Sequence, residues 1–247
     1  MTYEDKITSE VRAWQKKMTS NPSLMDKLSK KVQTKVNSYL PEKFHKAVTA
    51  AIKQMVRGVL FGAKYTTKMH SPSNSLLDIE TTVQRRIEFY KKTAAAEGGI
   101  TGAGGFFSAL ADFPLLLGIK LKLLFDIAGL YGYSVKDYKE RLYILHIFQL
   151  AYSSQLHRRS VYLQMVDWDK KKELLPDDIN QFDWRNFQQE YRDYIDLAKM
   201  AQLIPGIGAV VGLVVNYRLI KKLGATAMNA YRMRKLTEKA AMSPIIH

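Results

Sequence analysis

The sequence contains no cysteine, which excludes disulfide bonds, thiolate metal sites and cysteine nucleophiles. The absence of cysteine favours a reducing compartment. The N-terminal segment MTYEDKITSEVRAWQ is charged and amphipathic, and it has no apolar core of the kind found in signal peptides. We therefore expect a cytoplasmic protein. At 247 residues, the chain can bury a substantial core as one large domain or two small ones.

Signatures of nucleotide, hydrolase and metal sites are also missing. The glycines after residue 97 fit neither G-x-G-x-x-G nor a phosphate-binding loop, because no strand precedes them and no Lys-Ser/Thr pair follows. Ser108 lies in FFSAL without the G-x-S-x-G elbow, and no two histidines are four residues apart. His146 lies in an apolar run, where we expect a core residue. We expect no cofactor, no metal ion and no catalytic residue.

Acidic residues are scarce at both ends of the chain. The formal net charge is +15, although residues 71–200 carry 17 charges of each sign. Residues 1–70 hold 14 Lys/Arg against 5 acids, a net +9, and residues 201–247 hold 7 against 1, a net +6. This asymmetry indicates an anionic partner, either an acidic membrane surface or nucleic acid, and no nucleic-acid motif supports the latter. The alternative is a soluble protein with solvated lysines.

No β-alternation or hairpin signal is present, and helical periodicity predicts an all-α fold, a single bundle of about eight or nine helices. The basic N-terminal helices could dock on a core or lie in a lipid interface. The predicted helices span 4–18, two segments between 23 and 59, 76–97 up to the glycines, 103–111, 113–130, 134–153 capped by Ser134, 179–200, and 225–240, which Gly224 separates from the run before it.

The most unusual stretch runs from Gly98 to Tyr133 and opens with five glycines in eight residues. It is long enough to cross a bilayer, but Pro114 interrupts it and ionisable groups in a spanning segment are costly. We predict two helical pieces, with Asp112 as the N-cap of the second. The charged residues of this stretch are Asp112, Lys120, Lys122 and Asp126.

A shorter apolar, glycine-rich segment covers 203–216, and the basic sequence YRLIKK follows it. In both segments we expect the glycines to allow close helix approach. Lys122 and Asp126 are four residues apart and are expected to pair, and other buried polar groups need a partner such as Arg218. The candidate lipid- or partner-binding residues are Gly102, Gly104, Gly105, Asp112, Lys120, Gly206, Gly208, Asn216 and Arg218.

The segments GGITGAGGFFSALADFPLLLGIKLKLLFDIAGLYGY and IPGIGAVVGLVVNYRLIKKLGATAMNAYRMR resemble the EcsC family of bacteria, and the resemblance extends from about residue 76 to 234. The family takes its name from a gene beside the EcsAB ABC transporter of Gram-positive bacteria, a system tied to secretion and regulated membrane proteolysis. The resemblance implies a membrane context, with an ABC transporter or another membrane protein as partner. It provides no catalytic positions.

From these observations we expect basic amphipathic helices over 1–75 and an EcsC-like helical core over 76–240, together forming one compact domain, with a loose tail over 241–247. The expected function is non-enzymatic. The protein would be a cytoplasmic accessory protein, peripheral at the inner face of the cell membrane, that binds anionic lipid or a membrane protein. The alternative is a lipid or peptide hydrolase with an active site around Asp112.

Overall fold

The computed structural model describes residues 2–21, 42–61, 75–102, 113–183, 185, 187 and 209–242. Within these ranges the protein is built from α-helices and contains no β-strand, which confirms the predicted all-α class. Two single 3-10 turns, Lys172–Leu174 and Ile179–Gln181, lie after the seventh helix. The helices are α1 (Tyr3–Thr19), α2 (Glu42–Phe61), α3 (Leu76–Gly102), α4 (Phe113–Leu130), α5 (Tyr138–Tyr152), α6 (Gln155–Met165), α7 (Trp168–Lys171) and α8 (Ala209–Met242).

Helix α1 begins at a capping box, which explains its well-defined start. The side chain of Thr2 accepts a hydrogen bond from the Asp5 amide at 3.2 Å, and the Asp5 carboxylate accepts one from the Thr2 amide at 2.8 Å. Ile7 and Val11 are four residues apart and are buried on one face of the helix, which packs against α6 and α8. The predicted amphipathic first helix is therefore confirmed.

Helix α4 lies at the centre of the fold and has the predicted boundaries. Its C-terminal half is buried on every side, as expected for a helix that is apolar all round. Gly132 ends the element with a φ of +87°, a conformation that glycine adopts without strain. The prediction that Ser134 caps α5 was wrong, because Asp137 does so by accepting a hydrogen bond from the Lys139 amide at 2.8 Å.

Helices α3 and α8 form the most extensive helix pair of the described structure, and both are longer than predicted. Helix α3 does not end at the first glycines but continues to Gly102, and α8 passes through Gly224 without a break. A glycine costs a helix only about 1 kcal/mol relative to alanine, which tertiary packing readily offsets. At Gly224 the packing is direct, since a Cβ there would lie 2.7 Å from the Ile87 side chain.

Helix α6 was not predicted, because its sequence is polar. The Ser154 side chain accepts a hydrogen bond from the His157 amide at 3.4 Å and caps the helix, which buries Val161 and Met165. The described part of the predicted helix 179–200 begins with a 3-10 turn. The predicted helix over 103–111 and the first of the two segments between 23 and 59 lie outside the described residues.

Candidate functional site

Two of the predicted site residues, Lys120 and Asn216, meet in the interior between α4 and α8. Both side chains are fully buried, although they are 96 residues apart in sequence. The Lys120 Nζ atom lies 3.4 Å from Asn216 Oδ1 and 3.3 Å from the carbonyl oxygen of Leu116. The Nδ2 donor of Asn216 is buried and has no acceptor among the described residues. This pair is a polar spot inside the two most apolar segments.

Burial lowers the pKa of Lys120 to about 7 because the charged ammonium is removed from water. Between that value and the ordinary 10.5, the folded protein binds fewer protons at this side chain than the unfolded chain does. The free energy of unfolding therefore increases as the pH rises from about 7 to 10.5, and the burial of Lys120 destabilises the protein most below pH 7. As a neutral amine it could act as a base or nucleophile, but its side chain has no direct access to solvent.

The other predicted site residues are not brought to this pair by the described structure. Gly102 is the last residue of α3, and Arg218 is exposed on α8, two residues beyond Asn216. Their assignment stays a prediction. Five further candidates lie outside the described residues, namely Gly104, Gly105, Asp112, Gly206 and Gly208.

The predicted pair of Lys122 and Asp126 is confirmed on α4, where the ammonium contacts the carboxylate. The Asp126 carboxylate also accepts a hydrogen bond from the Tyr90 hydroxyl at 2.9 Å, and the Arg86 guanidinium lies 3.7 Å away. Asp126 therefore joins α4 to α3 and has three partners. These partners account for Asp126 as a structural residue.

Sequence reasoning missed a buried ion pair between Glu80 of α3 and Arg232 of α8. Arg232 Nε donates to Glu80 Oε1 at 2.7 Å, and the second carboxylate oxygen accepts from Nη2. Glu80 is fully buried and also accepts hydrogen bonds from the hydroxyls of Tyr3 and Tyr131. Burial alone would lower the pKa of Arg232, but the hydrogen bonds to Glu80 raise it above its ordinary value. The pair holds α1, α3 and α8 together.

A second network forms two residues further along α8, around Arg234. Its guanidinium donates to both oxygens of Glu140, at 2.6 and 2.8 Å, and to Asp169 at 2.9 Å. It also lies 3.8 Å from the ring centroid of Tyr133. The only sequence signal for these networks is the motif YRMR at 231–234, which places two arginines on different sides of one helix. Both arginines are saturated with carboxylate partners, so they are not available as anion-binding groups.

The described residues offer little support for hydrolase or metal chemistry. Ser154 Oγ lies 3.1 Å from His157 Nδ1, but the same oxygen caps α6, so helix geometry explains this contact. In the described ranges, no three histidine, aspartate or glutamate side chains are grouped so that they could hold a metal ion. None of the helices in the described part combines the length and the apolar character that a membrane span requires.

A basic surface lies along the exposed side of α3 and α8. The two helices are antiparallel, because Glu80 contacts Arg232 near one end while the Lys91 ammonium lies 4.2 Å from the Tyr217 ring centroid near the other. Helix α4 packs against both helices. We define this α3–α8 basic face by its exposed cations and aromatic rings: Arg85, Phe89, Lys92, Tyr217, Arg218 and Lys221.

The comparisons with known proteins identify the family of the chain. A model of the EcsC protein family matches residues 5–236, and the chain belongs to this family. It is 43% identical to Protein EcsC of Bacillus subtilis (strain 168) over 241 residues, which cover 97% of this chain and 99% of that protein. It is also 33% identical to the YdbA protein of the same organism over 146 residues, 59% of this chain and 54% of YdbA. No solved structure matches.

Proposed function

We propose that this protein is a non-enzymatic accessory protein that binds the surface of anionic membranes through the α3–α8 basic face. The observation that carries the proposal is the composition of that face. Four exposed cations, Arg85, Lys92, Arg218 and Lys221, lie on the same two helices as two exposed aromatic rings, Phe89 at 57% and Tyr217 at 39%. Cations beside an exposed aromatic ring are typical of surfaces that contact lipid headgroups.

Glu88, the acidic residue next to Phe89 in the sequence, does not cancel the charge of this face, and exposed Asp78 lies at the N-terminal end of α3, seven residues before Arg85. Glu88 forms an ion pair with Lys91, whose side chain is buried, so the two charges offset each other. Each basic side chain at an anionic membrane surface contributes about 1 kcal/mol, so the four cations contribute up to about 4 kcal/mol of binding. The net charges of the two ends of the chain, +9 over residues 1–70 and +6 over residues 201–247, favour the same attraction, and the second value already includes Arg218 and Lys221.

Vesicle co-sedimentation tests this proposal with two matched double variants. Arg218→Glu with Lys221→Glu removes two cations from the face, and Lys136→Glu with Lys170→Glu makes the same change of net charge at exposed positions elsewhere. The wild type should bind phosphatidylglycerol vesicles, and binding should weaken with salt because exposed charges are screened within about 8 Å at physiological ionic strength. The loss of the two cations alone, about 2 kcal/mol, should reduce partitioning by about 30-fold, and the two new carboxylates should increase this reduction because anionic lipid repels them.

The control variant should lose much less than the face variant. Equal losses in both variants would show that only the net charge matters, and the α3–α8 basic face would then be wrong. Equal binding to neutral phosphatidylcholine vesicles, or binding that salt leaves unchanged, would also contradict the proposal. Because the vesicles contain no protein, an absence of binding would favour a protein partner, such as a component of an ABC transporter, on the same face.

A further inference from the structure

An apolar cavity of about 560 Å³, broadly open to solvent, lies between α5, α6, α7 and the chain that follows α7. Its volume falls in the range of about 300–1,000 Å³ that is common for ligand pockets. Its lining is mostly apolar and aromatic, which is the usual composition of such pockets. The apolar lining residues are Leu142, Leu163, Trp168, Leu175, Phe182 and Phe187.

His146 lies among the aromatic residues of the cavity and is uncharged at neutral pH. Its ring meets the rings of Trp168 and Phe187 edge to face, at centroid distances of 5.6 and 5.5 Å. Its Nδ1 atom is 3.4 Å from Gln149 Oε1. Burial lowers the pKa of His146 to about 4, so this side chain does not bring a charge into the cavity.

Two residues of α7 line the same cavity. Trp168 and Lys171 are three residues apart and therefore lie on one side of this short helix. The indole N–H of Trp168 is buried and has no acceptor in the described part of the chain. The ammonium of Lys171 is exposed and donates to the Leu163 carbonyl oxygen at 2.5 Å. Of the described residues that line the cavity, Lys171 is the charged one.

The entrance of the cavity is itself partly apolar. Leu163 lines the cavity and is 47% exposed, and Leu174, next to the lining residue Leu175, is 86% exposed. An entrance with exposed leucines and one cation matches a molecule that has an apolar chain and an anionic head. A purely polar ligand would leave these surfaces unmatched.

We propose that this cavity binds the single acyl chain of an anionic amphiphile. The chain lies against the aromatic residues beside His146, and the head accepts a hydrogen bond from the Lys171 ammonium at the entrance. A free fatty acid and a lysolipid share this chemistry. The proposal does not depend on the α3–α8 basic face, because none of its six defining residues lines the cavity.

Tryptophan fluorescence provides a direct test, because Trp168 lines the cavity. The chain has three tryptophans, and replacing Trp14 and Trp184 by Phe leaves Trp168 as the sole reporter. A dibrominated stearic acid, added below its critical micelle concentration, should quench this fluorescence saturably, since bromine quenches only at short range. A brominated lysophosphatidylglycerol, measured in parallel, identifies which source of anionic head the site prefers.

Two variants make the test specific to the cavity. Ser160→Phe places a ring in the cavity from the exposed side of α6 and should abolish the quenching, whereas Ser160→Ala should retain it. Lys171→Gln should weaken the affinity for the acid about tenfold and leave that for its methyl ester unchanged, because a charge-assisted hydrogen bond is lost. Lys136→Gln is the matched control for loss of one exposed lysine.

The outcomes separate clearly. Saturable quenching by either amphiphile that Ser160→Phe abolishes and Lys171→Gln weakens would support the proposal. Quenching that does not saturate, or that is the same in wild type and Lys171→Gln, would overturn the proposal. The variant Lys171→Gln should fold normally because Lys171 is exposed. The variant Arg218→Glu with Lys221→Glu should bind the probe normally, which keeps this result distinct from the membrane-binding test.

Discussion

The packing of α3 against α8 at Gly224 gives a sharp prediction about the effect of a single methyl group. A Cβ at this position would lie 2.7 Å from both Cδ1 and Cγ1 of Ile87 and 3.0 Å from its Cγ2. Normal carbon contacts are about 3.5–4.0 Å, and the β-branched Ile87 has little rotamer freedom in a helix. The substitution Gly224→Ala should therefore push α3 and α8 apart.

The net effect of Gly224→Ala combines two opposing contributions. Overpacking of this kind costs about 1–3 kcal/mol, while replacing glycine by alanine inside a helix gains about 1 kcal/mol. Gly118 of α4 is the matched control, because it is exposed and a Cβ there would meet no described atom within 4 Å. Gly118→Ala should show the gain alone, so the two variants should differ by about 1–3 kcal/mol in their free energy of unfolding.

Urea unfolding followed by circular dichroism measures this difference, and thermal unfolding should show it as about 2–4 °C per kcal/mol for a chain of this size. The variant Ile87→Ala removes all three atoms that the new methyl group would meet. In this background Gly224→Ala should stabilise the protein as much as Gly118→Ala does in the wild type. If Gly224→Ala stabilises the wild type to the same extent, the close approach of α3 and α8 at this glycine is refuted.

Two further predictions concern buried charges. Glu80→Gln should destabilise the protein by about 3–5 kcal/mol because it leaves the buried Arg232 guanidinium without its buried carboxylate partner. Glu10→Gln removes the second partner of Arg232, which is 44% exposed, and should cost at most about 1 kcal/mol. Equal, small losses in urea unfolding would contradict the assigned roles. Lys120→Met should stabilise the protein by about 1–4 kcal/mol at pH 7, and the gain should shrink as the pH rises toward 10.5. A loss of stability at every pH would show that the amine of Lys120 is needed.

The two polar regions of the interior differ in a way that bears on function. Arg232 and Arg234 have carboxylate partners on other helices, and these partners explain why the arginines are buried. Lys120 is fully buried, yet its described partners are an amide oxygen and a backbone carbonyl. A buried cation with only neutral partners is less stable than a buried cation that is paired with a carboxylate. Among the predicted site residues that the structure describes, Lys120 is therefore the one most worth testing by substitution.

The sequence by itself determined the features that depend on local chemistry. Helix α4 has the predicted boundaries because Pro114 is tolerated only in the first turn and the apolar run ends before Gly132. The buried face of α1 follows from the spacing of its apolar residues, and Lys122 pairs with Asp126 because residues four apart are neighbours on a helix. The all-α class follows from the same periodicity. The family membership, too, was recognisable from the two glycine-rich segments.

Only the tertiary structure decided which distant residues meet. Glu80 and Arg232 are 152 residues apart, and no local pattern selects one carboxylate for one arginine. Gly224 has the local character of a helix breaker, yet α8 continues through it because the absence of a side chain lets α3 pack closely. Likewise, Lys120 and Asn216 were both predicted from the sequence as candidate site residues, but their contact depends on how α4 lies against α8. Helix propensity depends on a few neighbouring residues. Packing between helices determines whether a glycine ends a helix and whether a buried charge has a partner.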